Sequence, residues 1–66
     1  MKLKQIRQSK GLTQKELAEA TGISLRTLQH YEQGSKDLNM AAAITVYAIA
    51  SALGVKVEDL LDIPNQ

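Results

Sequence analysis

TQKELAEATGISLRTLQHYEQG, residues 13–34, is the stretch that decides how this chain folds. Thr13 and Glu16 form a T-x-x-E pair. In such a pair the hydroxyl accepts from the backbone at the third helical position, and the carboxylate reaches back to the cap's own N–H. A helix therefore starts at Gln14, with Leu17 and Ala18 on its inward face. Gly22 ends it, because glycine alone enters the left-handed backbone region without steric cost. Ile23 anchors the turn, Ser24 caps a second helix from Leu25 to about Gln33, and Gly34 closes that helix in turn. Helix, short glycine-containing turn, helix is the helix-turn-helix pattern.

The internal spacing is more specific. Counting Gln14 as the first position, the small Ala18 stands fifth and Gly22 ninth. Two helices that cross steeply over so short a turn need a small residue at that fifth position. Leu17, Ile23, Leu28 and Tyr31 take the inward positions, which turns Leu25, Arg26, Gln29, His30 and Gln33 outward. With these residues the segment GLTQKELAEATGISLRTLQHYEQG, from Gly11 to Gly34, resembles the Cro/CI-type helix-turn-helix domains, the XRE family of phage repressors and small bacterial regulators. Thr21 stands where an aliphatic residue is commoner. The resemblance covers about residues 1–61 and implies an all-α, compact, five-helix, lambda-repressor-like DNA-binding domain with its helix-turn-helix at helices 2 and 3. The domain is expected over residues 1–63, with 64–66 as a short tail.

Size and composition set the bounds. The chain has 66 residues, enough for one domain that buries only about 60% of its unfolded surface, so dimerisation would help it. It has no cysteine, which removes disulfides and thiolate metal sites and suits a reducing compartment. The N-terminal MKLKQIRQSKG lacks the apolar run of a signal peptide, and no stretch approaches a membrane span. A cytoplasmic prokaryotic protein is expected, and the span from Met1 to just past Pro64 reads as a complete minimal regulator. The net charge of +1 is unevenly spread: residues 1–36 carry seven Lys/Arg against three Glu, whereas residues 37–66 carry Lys56 against four acidic residues. Such asymmetry suits a polyanion on one face.

Taken in order, residues 1–10 read as a first helix with Leu3 and Ile6 inward and Gly11 as its stop. Arg7 lies at the edge of that face. In similar repressors an arginine here pairs with a glutamate at the end of the recognition helix, so the resemblance implies a structural salt bridge between Arg7 and Glu32. Leu38 is the expected anchor of the loop after Gly34, and Asn39 the expected cap of a fourth helix from Met40 to Leu53. That helix is uncharged. Val46, Ile49, Ala50 and Leu53 form its core stripe, while Ile44, Tyr47 and Ala48 fall on another face. A fifth helix is expected over residues 57–62, with Leu60 inward and Glu58 and Asp59 favourable at its N-terminus. The resemblance implies a two-fold contact in this region, using Tyr47, Val57, Leu61 and Ile63; the alternative is that these residues cap the core of the monomer.

The family's way of docking places the second helix of the motif in the major groove of double-stranded DNA. Candidate base contacts are then Leu25, Arg26, Gln29 and His30. The Arg26 fork suits the O6 and N7 acceptors of guanine, and Leu25 suits a thymine methyl. Candidate phosphate contacts are Gln14, at a helix start whose free N–H groups attract anions, together with Ser24, Thr27, Ser35, Lys36 and Asn39. His30 is the only histidine and has no suitably spaced carboxylate, and there is no Gly-rich phosphate loop. The chain reads as a non-enzyme with no metal, no cofactor and no evident small-molecule effector. Three functions compete. The first is a sequence-specific transcriptional regulator, a repressor binding a palindromic operator as a homodimer. The second is a protein-interaction module, such as an antitoxin or adaptor, using the apolar face of Ile44, Tyr47 and Leu61. The third, a nonspecific nucleoid binder, is disfavoured by the small net charge.

Overall fold

A computed structural model describes residues 2–62. Five α-helices carry the fold: α1 Lys2–Ser9, α2 Gln14–Thr21, α3 Leu25–Gln33, α4 Ala43–Leu53 and α5 Val57–Leu60, with one 3-10 turn at Leu38–Met40. The described residues are all helix, turn or loop. Leu17, Leu28 and Ile49 are its largest fully buried side chains, one each from α2, α3 and α4. Leu3, Val46, Leu53 and Leu60 close the core around them. α2 is the hub, packing against both α3 and α4. Ala18 is buried on that helix.

The start and end of α2 are set by local chemistry. The Thr13 hydroxyl accepts from the Glu16 N–H at 3.0 Å, and the Glu16 carboxylate accepts from the Thr13 N–H at 2.8 Å. At the other end Gly22 adopts φ +75°, and its N–H donates to the Ala18 carbonyl. Space for a Cβ exists there, so the requirement for glycine lies in the backbone angle alone. Thr21 is held by polar contacts as well as packing: its hydroxyl donates to the Leu17 carbonyl at 2.8 Å and accepts from the Ile23 N–H at 3.3 Å. A hydroxyl at this position ties the end of α2 to the turn.

The second half departs from the sequence expectation at two boundaries. Helix α4 begins at Ala43 rather than Met40, and Asn39 does not cap it. Asp37 accepts from the Asn39 N–H at 2.9 Å and starts the 3-10 turn instead. Ala41 and Ala42 then run extended, with ψ of 157° and 145°. This detour lets Leu38 reach the core. Helix α5 stops at Leu60 rather than residue 62, because Leu61 is extended and Asp62 is captured. The Asn39 carboxamide donates to the Asp62 carbonyl at 2.6 Å and accepts from the Asp62 N–H at 3.1 Å.

Candidate nucleic-acid interface

Helix α3 presents its outer face because Leu28 and Tyr31 commit its inner face to the core. Leu25, Arg26, Gln29, His30 and Gln33 line one shallow, open depression on that face. Leu25, Arg26 and Gln33 are exposed, while Gln29 and His30 are half-buried. Gln33 completes the face although it was not among the candidate contacts; its spacing of seven residues from Arg26 is the signal that places it there.

The N-terminus of α3 is closed by its own side chains. Ser24 accepts from the Thr27 N–H at 3.1 Å and donates to the Thr27 hydroxyl at 2.8 Å. Ser35 and Lys36 are exposed on the loop that follows, and the Lys36 N–H donates to the His30 carbonyl at 3.2 Å. Asn39 is exposed on the same loop, and its carboxamide makes two bonds to the backbone of Asp62. The residues assigned to a two-fold contact are dispersed in character. Tyr47 is 63% exposed, Val57 and Leu61 are half-buried against the core, and Ile63 lies outside the described residues.

Behind α3 sits a buried ion pair. Arg7 Nε donates to Glu32 Oε2 at 2.6 Å and Nη2 donates to Oε1 at 3.1 Å, the bidentate geometry in which a guanidinium best meets a carboxylate. Arg7 Nη1 donates to the Leu12 carbonyl at 2.6 Å, so the pair joins α1, the α1–α2 loop and α3. Burial is the largest single influence on Glu32 and opposes its charge. The hydrogen bonds from Arg7 and Gln14, with the charges of Arg7 and Lys4, outweigh it and hold the carboxyl below its ordinary range. The same hydrogen bond, working against burial, raises Arg7 above the ordinary arginine value.

The pair continues towards the surface. Gln14 Nε2 donates to Glu32 Oε1 at 3.0 Å, and Gln29 Nε2 donates to Gln14 Oε1 at 3.4 Å. Sequence reasoning placed Gln14 at the helix start and Gln29 on the outer face but had no signal for their contact, which depends on how α2 crosses α3.

Comparison with known proteins identifies the family and agrees with the helix-turn-helix fold. The Helix-turn-helix family model matches residues 3–60. The chain belongs to the XRE-type helix-turn-helix family of DNA-binding transcriptional regulators. Among its relatives is a protein called an uncharacterized HTH-type transcriptional regulator, from Methanocaldococcus jannaschii. The two are 39% identical over 59 residues, covering 89% of this chain and 85% of the relative. No solved structure matches this helix-turn-helix protein significantly. Among its described residues no helix is long and apolar enough to cross a membrane.

Proposed function

We propose that this helix-turn-helix protein is a repressor that binds a palindromic operator as a homodimer, with α3 in the major groove. The observation that carries the reading is the outer face of α3. Arg26, Gln29, His30 and Gln33 project from one rigid helix, and that helix is anchored from behind by the Arg7–Glu32 pair. Arg26 would read guanine through its bidentate fork, Leu25 would meet a thymine methyl, and Gln29 and His30 would contact bases one turn further on. The N-terminus of α2 at Gln14, with Ser24, Thr27, Ser35 and Lys36, would hold the phosphates that fix register. Asn39, exposed and bonded to the Asp62 backbone, would offer its second N–H to the same phosphates. Exposed Ile44 and Tyr47 would supply most of the apolar surface for the two-fold contact, with a smaller share from half-buried Val57 and Leu61. Repression would follow from occupancy of the operator.

Selection of binding sites from random duplex DNA at near-physiological salt tests this. Enrichment of an inverted repeat with half-sites about one helical turn (~34 Å) apart is expected, with sedimentation showing a dimer on the duplex. Enrichment of a single, unrepeated half-site would overturn the dimer. A second reading, a protein-interaction module such as an antitoxin or adaptor, is favoured by the exposure of Ile44 and Tyr47, 73% and 63%. Arg26→Ala separates the two: a regulator loses ~1–3 kcal/mol of preference at one base pair, while an adaptor keeps its partner.

A further inference from the structure

The four side chains that run from the buried pair to the outer face of α3 carry a direction as well as a connection. Glu32 is ionised beside Arg7, and an ionised carboxylate only accepts hydrogen bonds. Gln14 must therefore turn its NH2 group towards Glu32, which it does at 3.0 Å. Its carbonyl oxygen is then left facing α3. Gln29 must in turn direct its own NH2 group at that oxygen, as observed at 3.4 Å. A carboxamide has one donor end and one acceptor end, so each residue in the row sets the orientation of the next. The row ends on a side chain that lines the outward depression.

We infer that Gln29 specifies adenine, and that Gln14, itself oriented by Glu32, is the positioning residue that sets the direction of the Gln29 carboxamide. The inference rests on the proposed docking of α3 in the major groove. With one N–H committed to Gln14, Gln29 keeps its Oε1 and its second N–H without a protein partner among the described residues. That leaves one acceptor and one donor side by side. Adenine offers the matching pair in the major groove, an N6 amino donor beside an N7 acceptor, whereas cytosine offers a donor alone and guanine two acceptors. A free glutamine samples both amide orientations and must lose that freedom on binding. A glutamine held from behind has already lost part of it, which is preorganisation in the ordinary sense.

The test is site selection from random duplex DNA with the wild type, Gln29→Ala, Gln29→Glu and Gln14→Leu, folding being checked by circular dichroism. The wild type is expected to enrich adenine at one position per half-site. Gln29→Ala should abolish that preference, a loss on the order of tenfold or more for one bidentate pair, with the other positions unchanged. Gln29→Glu, which only accepts, should move the preferred base to cytosine. Gln14→Leu should relax the adenine preference several-fold at that same position, whereas loss of a phosphate contact alone would weaken all sequences equally. Gln29→Ala that leaves every position unchanged overturns the assignment of Gln29. Gln14→Leu that lowers affinity uniformly and leaves the adenine preference whole overturns the positioning role. If Gln14→Leu does not fold, the two Gln29 variants still decide the base assignment. A wild type that enriches no site at all overturns the docking reading together with this one.

Discussion

Helices α3 and α4 both turn one face to solvent, and the two faces are opposite in kind. α3 shows Arg26, Gln29, His30 and Gln33, and behind them lies a buried pair and a row of directed hydrogen bonds. α4 carries no charge, and it shows Ile44 at 73% and Tyr47 at 63% exposure, with Met40 at 82% just before it. Of the polar groups on α3, Gln29 is held in one direction by Gln14, and behind it an arginine and a glutamate are buried. Ile44 and Tyr47 on α4 stand outside the core formed by the described residues. The difference suits the proposed function: a partner whose base edges are read needs donors and acceptors in fixed directions, as at Gln29, whereas a two-fold contact needs apolar area more than direction.

The largest expected effect attacks the support under α3. Glu32→Ala strands a buried arginine, and breaking one side of such a pair costs about 3–5 kcal/mol. A domain of this length has in total roughly 3–10 kcal/mol of stability, so urea denaturation should find the variant largely unfolded near 25 °C. Replacing both members, Arg7→Met with Glu32→Leu, should recover much of the loss, since intact buried pairs add little net stability. Recovery of folding without recovery of base preference would sharpen the contrast between support and direction.

The pair also makes a pH prediction. The folded carboxyl of Glu32 lies below its ordinary value of 4.5. Its contribution is therefore fully present above that value and is lost as pH falls through the lower folded value. Acid titration of the midpoint of unfolding should show this loss below about pH 4.5, and Glu32→Gln should flatten that limb.

Ile49 and Ile44 let the two faces of α4 be compared within a single residue type. Ile49 is fully buried, and Ile49→Ala should cost about 2–5 kcal/mol through lost burial and the cavity left behind. Between these extremes, Gly22→Ala forces an alanine to φ +75° and should cost about 1–2 kcal/mol by thermal melting. Ile44→Ser should change monomer stability by no more than about 0.5 kcal/mol while weakening self-association in sedimentation. A large loss of monomer stability from Ile44→Ser would break the comparison outright.

What could be read in advance was short-range. The Thr13–Glu16 cap, the Gly22 turn, the Ser24 cap and the stripe of Val46, Ile49, Ala50 and Leu53 are each decided within a few residues by backbone sterics and helical period. The outward set on α3 follows from the same period once Leu28 and Tyr31 are known to face in. The boundaries of α4 and α5 were misread for a physical reason. Asn39 is a good helix cap by type, but the tertiary fold offered its carboxamide a better use, the backbone of Asp62, which is 23 residues away. Likewise, Gln14 and Gln29 are separated by 15 residues and touch only because the fold packs α2 against α3. Local chemistry in the sequence by itself determined the helices and which side of each faces the core. The long-range hydrogen bonds, and with them the direction of the Gln29 carboxamide, were decided by the tertiary structure alone, because a hydrogen bond exists only when packing brings its two ends within about 3 Å.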